Sequence, residues 1–288
     1  MLSEKQINNF KKNGYIVISN FLNQEEIGEL STSLEESKNT LQKKTSYNVL
    51  DDEKVWDFVC NKNLKEILSL IIGPEVYYLH DVSLLYGEID SKYTWHRDNP
   101  CRRTGIGPDW TEKANYNVVS AAVYFSDSDE SNSGLNLIPK SHFNKYKSTL
   151  SNLIRIFHNR TRNNKNFRFI RNICEKFIGY EIKYKPGDLI IFYCSLYHTG
   201  SLISKNVEKV YRDGIITRFG GLGVHSKNFM NYQLNYRKLI NRISHSTKKE
   251  LFFDRLKKNN IFISPNVEQE KIEGIHVPKD QGSDGGLA

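Results

Sequence analysis

The sequence predicts a mainly β fold, a sandwich or jelly roll, with helices flanking it. After Pro74 the chain carries short β-branched or aromatic runs separated by Gly, Pro, Asn or Asp, a pattern typical of short strands. Before Pro74 the apolar residues recur at helical spacing, which predicts helices ahead of the strands. No apolar run reaches the roughly 18–20 residues that cross a bilayer, and the first residues lack the apolar stretch of a secretory signal. We therefore expect a cytoplasmic protein without a membrane span.

Helices are predicted ahead of the strands and again near the end of the chain. Ser3 and Asn23 are typical helix caps, because their side chains accept a hydrogen bond from the first helical turn. Predicted helices follow these two caps and also cover 53–60, 64–72, 147–177, 227–242 and 248–258. Predicted strands cover 15–18, 76–79, 83–86, 118–125, 135–138, 180–184, 189–193 and 214–219.

The chain is predicted to form one domain over residues 1–278, because no repeat, heptad run or linker divides it. The helical segment at about 143–178 interrupts the strands, and we interpret it as an insertion over one end of the sheet. Helices at about 227–260 complete the domain. The Gly-rich residues 279–288 are expected to be a disordered tail.

The net charge of +8 is concentrated in the 143–178 insertion. Its only acidic residue is Glu175, and the rest of the chain carries equal numbers of acidic and basic residues. Two interpretations stay open: a solvated helical face, or a border of the active-site mouth that attracts an anionic substrate. We do not expect a nucleic-acid partner, because no known module fits this segment. The basic residues are Lys145, Lys147, Arg155, Arg160, Arg162, Lys165, Arg168, Arg171 and Lys176.

One pattern has the spacing of a metal site. His96 and Asp98 form the only H-x-D of the chain, and in extended backbone residues i and i+2 point to the same side. His198 follows a predicted strand that begins after the turn 185–188. Two imidazoles and one carboxylate on one face form the triad that leaves three positions of Fe(II) open.

A dicarboxylate cosubstrate on such an ion needs a partner for its distal carboxylate. Arg212 lies 14 residues beyond His198 on the next predicted strand, and a guanidinium holds a carboxylate through two hydrogen bonds. Thr199 or Ser201 could add a hydroxyl to the same carboxylate.

Several ordered motifs resemble one enzyme family. The segment 133–142, SGLNLIPKSH, is similar to the motif N-G-x-L-x-x-x-P-G-S/T-H of the phytanoyl-CoA dioxygenase family, the Fe(II)- and 2-oxoglutarate-dependent oxygenases. The helix–NGYIVI–helix opening is similar to the N-terminus of that family. The turn 186–188 and the segment 198–201 resemble its turn and distal histidine, and Arg212 resembles its cosubstrate arginine. The resemblance covers residues from about 2 to 221.

This resemblance implies an enzyme with a double-stranded β-helix, the jelly-roll or cupin-like fold. It implies Fe(II) with 2-oxoglutarate and O2 as cosubstrates, release of succinate and CO2, and hydroxylation of a small substrate. The implied metal ligands are His96, Asp98 and His198, and the implied cosubstrate residues are Arg212, Ser201 and Thr199.

Three features show how closely the chain follows the family pattern. Lys140 stands where the family has Gly, at a turn expected to tolerate it. The interval from His198 to Arg212 is longer than is typical, so Arg218 stays a candidate for the 2-oxoglutarate carboxylate. Asp98 stands where halogenating relatives carry Ala or Gly, so no halide site is expected.

The substrate stays open, with anionic and carrier-linked metabolites both considered, and the sequence does not separate hydroxylation from desaturation or ring closure. Two alternatives remain: a cupin-like isomerase or lyase with a different metal, and a non-catalytic sensor or binding module on the same fold. Dependence on 2-oxoglutarate would distinguish the oxygenase from the isomerase or lyase. The intact triad argues against the binding module. The oligomeric state is not predicted. Candidate substrate residues are Arg102, Arg103, Trp110, Arg160 and Arg162.

Overall fold

The strands form one large sheet, a three-stranded sheet and a two-stranded ladder. The structure is a computed structural model that describes residues 2–41, 52–85, 88–89, 95–99, 109, 115–129, 133–143, 149–161, 164–202, 210–211, 213–235 and 248–263. Its strands are β1 (Tyr15–Ile18), β2 (Val76–Leu85), β3 (Glu88–Ile89), β4 (Val118–Tyr124), β5 (Ser133–Leu137), β6 (Tyr180–Ile182), β7 (Leu189–Tyr193), β8 (His198–Leu202), β9 (Val210–Tyr211), β10 (Gly214–Gly220) and β11 (Ile261–Ile263).

Two antiparallel sheets share one core, as the predicted jelly roll requires. The large sheet has the order β1-β7-β4-β10-β2-β11, and the small sheet has the order β6-β5-β8. Apart from β11, which lies parallel to β2, the pairings are antiparallel. Strands β4 and β7 are buried along their whole length, and one apolar cluster joins their side chains to Leu135, Leu137 and Ile182 of the small sheet.

Helices flank the sheets and begin at the predicted caps. Ser3 and Gln6 form a reciprocal capping box, and Asn23 and Glu26 exchange the same two hydrogen bonds. No helix in the described part of the chain has the length and apolar character needed to cross a bilayer. The helices are α1 (Glu4–Asn13), α2 (Gln24–Leu41), α3 (Glu53–Val59), α4 (Lys62–Ile72), α5 (Thr149–Thr161), α6 (Arg168–Ile178), α7 (Val224–Asn235) and α8 (Lys249–Lys258).

Some predicted boundaries differ from the structure. The two runs predicted as separate strands before residue 86 form the single strand β2. His198 follows β7, as predicted, and it also begins a further strand, β8. The 147–177 segment contains two helices, α5 and α6, joined through a short 3-10 turn. The short strands β3, β9 and β11 were not predicted. Residues 236–242 of a predicted helix and the predicted tail at 279–288 lie outside the described residues.

A tight turn leads into β7 and then toward His198. Gly187 has φ +83°, and a Cβ at this position would lie 2.5 Å from the carbonyl oxygen of Leu22, so only glycine fits without strain. The carboxylate of Asp188 accepts hydrogen bonds from the backbone N–H groups of Asn20 and Lys185. This turn therefore ties the start of β7 to the segment that follows β1.

Candidate metal centre

Backbone hydrogen bonds bring the two predicted ligand segments together. The N–H of His96 donates to the carbonyl of His198 at 3.0 Å, and the N–H of His198 donates to the carbonyl of His96 at 2.9 Å. The N–H groups of Asp98 and Asn99 both donate to the carbonyl of Cys194. Residues 95–99 thus lie against the start of β8 and extend the small sheet by one bridge.

The side chains of these segments converge on one point. The Nε2 atom of His96 lies 3.5 Å from one carboxylate oxygen of Asp98, and the Nε2 atom of His198 lies 3.6 Å from the other. One ligand atom from each of the three residues lies within 4.8 Å of the other two. The separations of 3.5 and 3.6 Å are short enough for the atoms to share one ion bound at about 2.1 Å. The three residues therefore could hold a metal.

His198 is oriented by a backbone carbonyl. Its Nδ1 atom lies 3.0 Å from the carbonyl oxygen of Leu196, which only accepts hydrogen bonds, so Nδ1 carries the proton. The lone pair is then on Nε2, the atom that faces Asp98. Burial lowers the pKa of His198 to about 4, although the carboxylate of Asp98 opposes that shift. His198 is therefore neutral at neutral pH, the state in which imidazole binds a metal.

Asp98 is held as a carboxylate by the groups around it. Burial by itself would raise the pKa of Asp98, but His198, Arg218 and His96 outweigh burial and hold the pKa well below its usual value. Arg218 Nη2 donates to the carboxylate at 3.1 Å, and both side chains are largely buried. Arg218 lies on β10 opposite Ser120 of β4.

Helix α5 contacts the residue that precedes His96. The side-chain oxygen of Asn159 accepts from the N–H of Trp95 at 3.0 Å, and the side-chain amide of Asn159 donates to the carbonyl of Trp95 at 3.1 Å. These two hydrogen bonds are the ones that a neighbouring strand would make with Trp95. They fix α5 beside residues 95–99.

The residue that precedes His198 is also held by charged side chains. The guanidinium groups of Arg97 and Arg155 each lie 4.1 Å from the ring centroid of Tyr197, within the range of a cation–π interaction. Burial lowers the pKa of Arg97 to about 10, and the guanidinium still carries its charge at neutral pH. Arg97 also donates to the carbonyl of Ser141. Both ligand segments are therefore packed between α5 and the turn after β5.

The comparison with protein families decides the family of the chain. The model described as Phytanoyl-CoA dioxygenase (PhyH) matches residues 10–203. The chain belongs to this family. The resemblance drawn from the sequence motifs is confirmed. Membership supports a 2-oxoglutarate-dependent oxygenase function, and it leaves the substrate and the reaction to be proposed. No curated protein sequence matches the chain.

Solved structures of similar fold include three that hold a metal, 2-oxoglutarate or both. HygX from Streptomyces hygroscopicus with nickel and 2-oxoglutarate bound is 15% identical, with a TM-score of 0.57 over 78% of this chain and 90% of HygX. EctD from S. alaskensis with 2-oxoglutarate and 5-hydroxyectoine is 16% identical, with a TM-score of 0.51 over 76% of each chain. The epimerase SnoN with Fe3+, alpha ketoglutarate and nogalamycin RO is 12% identical, with a TM-score of 0.50 over 76% of this chain and 83% of SnoN. At these identities the likeness concerns the fold, which is the predicted double-stranded β-helix.

The other predicted site residues are placed differently. The hydroxyl of Thr199 donates to the carbonyl of Gly200 at 3.3 Å, and alternation along β8 places Thr199 and His198 on opposite faces. Ser201 pairs with Gly134 in the small sheet, and Arg160 is exposed on α5. The predicted residues that lie outside the described part of the chain are Arg102, Arg103, Trp110, Arg162 and Arg212.

Several residues beside the ligands were not predicted from the sequence. Asn159 is one of many polar residues in a basic helix, and no sequence signal separates it from its neighbours. His225 received no functional role, yet its Nδ1 atom lies 3.0 Å from the carboxylate of Asp109, and both side chains are buried. The ring of Tyr116 lies 4.9 Å from that of His225, and burial together with the charge of Asp109 raises the pKa of Tyr116 well above its usual value.

Proposed function

We propose that the chain is an Fe(II)- and 2-oxoglutarate-dependent dioxygenase that hydroxylates a small substrate and releases succinate and CO2. The observation that carries the proposal is the convergence of His96, Asp98 and His198, with facing ligand atoms 3.5 and 3.6 Å apart. Membership in the phytanoyl-CoA dioxygenase family supports it. The bound metals and 2-oxoglutarate of HygX and SnoN, which share the fold, also support it.

The donor set fits Fe(II): His96, Asp98 and His198 would hold the ion through two imidazoles and one carboxylate, a set that leaves positions open for 2-oxoglutarate and O2. Bound iron with 2-oxoglutarate would supply the oxidising chemistry. The protein holds the donors in place: the carbonyl of Leu196 fixes the ring of His198, and Arg218 fixes the carboxylate of Asp98. The low pKa of Asp98 keeps that ligand ionised without a base.

Arg212 is our proposed partner for the distal carboxylate of 2-oxoglutarate, with Thr199 and Ser201 as candidate hydroxyl donors. The contact of Arg218 with Asp98 favours Arg212, because a guanidinium already bound to one buried carboxylate has fewer N–H groups for another. Thr199 remains a weaker candidate, because alternation along β8 directs its side chain away from the face of His198.

The proposed substrate is a small molecule that enters beside α5, with anionic and carrier-linked compounds as the candidates. The contacts of Asn159 and Arg155 with the residues flanking His96 and His198 support a position for the basic segment at the border of the site. The proposed substrate residues are Arg102, Arg103, Trp110, Arg160 and Arg162.

A second reaction on the same cosubstrate is favoured by one observation. SnoN is described as an alpha ketoglutarate dependent epimerase, and SnoK, with a TM-score of 0.51, as an alpha ketoglutarate dependent carbocyclase. Product mass separates these reactions. Hydroxylation adds one oxygen atom, epimerisation leaves the mass unchanged, and ring closure or desaturation removes a pair of hydrogen atoms.

Anaerobic titration of the purified protein with Fe(II) and 2-oxoglutarate tests the proposed cofactor chemistry. We expect a weak visible charge-transfer band that requires both additions and is lost in His96→Ala and Asp98→Ala. Matched controls are His142→Gln and Asp129→Ala, a histidine and an acid that lie apart from the triad. These controls should keep the band. A folded wild-type protein that gives no band would contradict the proposal and favour the isomerase or binding-module alternatives.

A further inference from the structure

Helix α6 exposes large apolar side chains to solvent. Phe169 and Phe177 are 65% and 78% exposed, and Ile173 between them is 40% exposed. Their spacing of four residues places them on one face of the helix. The same face includes Ile170, also exposed, whereas Arg171 lies on the opposite half and the exposed Lys176 lies at the border of the apolar face.

Helix α5 exposes a second set of apolar side chains. Leu150 and Leu153 are 65% and 59% exposed, and Ile156 lies exposed one turn further along. Helices α5 and α6 pack against each other, and the rings of Phe157 and Phe167 meet edge to face at their junction. Soluble proteins rarely leave this much apolar surface in water unless it binds something.

The charge of the same segment indicates what it binds. Residues 143–178 carry the excess positive charge of the whole chain, and Glu175 is their only acid. Of the described basic side chains, Arg160 on α5 and Lys176 on α6 are exposed beside the apolar faces. A helix with one apolar half and one basic half is the type that lies in the plane of a lipid surface, with its aromatic and aliphatic side chains between the headgroups.

We propose that the α5–α6 pair docks the protein onto an anionic lipid bilayer. The side chains inserted among the lipids are Phe169, Phe177, Leu150 and Leu153, and Arg160 and Lys176 contact the anionic headgroups. A second copy of this chain fits the surface poorly, because its own positive segment would be repelled. An acidic protein would satisfy the charges but would need a groove matched to the apolar side chains of both helices, whereas fluid lipid chains surround inserted side chains without a preformed groove.

The opposite side of α5 connects this surface to the candidate metal centre. Asn159 and Arg155 hold the residues next to His96 and His198, so docking through α5 and α6 would bring the site to the bilayer. This step rests on the proposed function, and it names the substrate class as an anionic amphiphile that is drawn from the membrane.

Vesicle sedimentation tests the docking surface. The full chain should sediment with vesicles of phosphatidylcholine and phosphatidylglycerol but not with phosphatidylcholine alone, and added salt should weaken binding. The double variant Phe169→Glu/Phe177→Glu should bind at least about tenfold more weakly, and Lys176→Glu about fivefold more weakly. The double variant Leu222→Glu/Leu251→Glu, which places the same two charges at comparably exposed apolar positions outside α5 and α6, should bind as the wild type does.

The docking proposal would be overturned if the protein did not bind the anionic vesicles, or if the wild type and the Phe169→Glu/Phe177→Glu variant bound them equally. It would also be overturned if light scattering showed a dimer that this double variant dissociates. A last contrary result would be binding of an acidic acyl carrier protein through these residues by a protein that does not bind vesicles. The charge-transfer band with Fe(II) and 2-oxoglutarate is measured on the same samples. A charge-transfer band without vesicle binding would contradict the docking proposal and leave the proposed function standing. Vesicle binding without the charge-transfer band would contradict the proposed function and leave the docking surface standing.

Discussion

At the scale of single residues, the sequence singled out the three side chains that converge in the structure, but not the groups that hold them. His96 and Asp98 are two positions apart, and His198 lies in a recognisable motif, so local patterns were sufficient. The contact between Arg218 and Asp98 depends on how β10 pairs across the sheet, and the β10–β2 register is irregular at Arg218. Such irregularities redirect a side chain, and the sequence alone does not reveal them.

Removing Arg218 is expected to destabilise the metal-free protein. In Arg218→Met the carboxylate of Asp98 stays buried without its charged partner, which costs about 3 kcal/mol in the free energy of unfolding. Asp98→Asn should offset part of that loss, because the orphaned charge is gone. Urea unfolding of both single variants and the double variant measures a coupling energy of about 1–3 kcal/mol. Additive effects would show that the pair contributes nothing.

At the scale of elements, the positions of most helices and strands followed from the sequence, but their boundaries depended on tertiary contacts. Ser3 and Asn23 start helices through hydrogen bonds within one turn, so local sequence was sufficient to predict them. Strand β11 has only three residues, and it exists because it pairs with the edge of β2, which lies far away in the sequence. A run this short carries no periodic signal.

The turn after β5 offers a stability test of the family departure at Lys140. This residue has φ +68°, a left-handed conformation that costs a side chain bearing Cβ about 1 kcal/mol, and its N–H donates to the carbonyl of Asn13. Lys140→Gly relieves this strain in the folded state, and it also makes the unfolded chain more flexible, which opposes folding. Because the first effect is larger, the substitution should raise the free energy of unfolding by about 0.5 kcal/mol. The control Lys185→Gly should lower the free energy of unfolding, because Lys185 is exposed, has a negative φ and so has no such strain to relieve. A less stable Lys140→Gly would show that the turn tolerates lysine without strain.

At the scale of the whole molecule, the two-sheet architecture was predictable because many short strands after a helical region permit few arrangements. The relation of the basic helices to the site was not predictable. The Asn159–Trp95 contact spans 64 residues, and the apolar faces of α5 and α6 resemble ordinary core faces in a sequence pattern. Only the structure shows that these faces are exposed while the inner side of α5 contacts the ligand segments.

The pH dependence of global stability follows from a histidine that joins α1 to the sheets. His142 Nε2 donates to the carbonyl of Lys11, its ring lies 5.0 Å from that of Tyr193, and its Nδ1 has no hydrogen-bond partner among the described residues. Burial lowers the pKa of His142 to about 4, and the charge of Arg97 acts in the same direction.

Because an unfolded histidine titrates near pH 6.5, the unfolded state binds more protons than the folded state between about pH 4 and 6.5. Stability contributed by neutral His142 is complete above pH 6.5 and is lost as the pH falls toward 4, by at most about 1.4 kcal/mol per pH unit. His198, whose pKa burial also lowers to about 4, contributes with the same sign in metal-free protein. His142→Gln should therefore remove about half of the slope of unfolding free energy against pH, measured by urea unfolding with a chelator present. An unchanged slope would contradict the prediction, because it would mean that His142 has the same pKa in the folded and unfolded states.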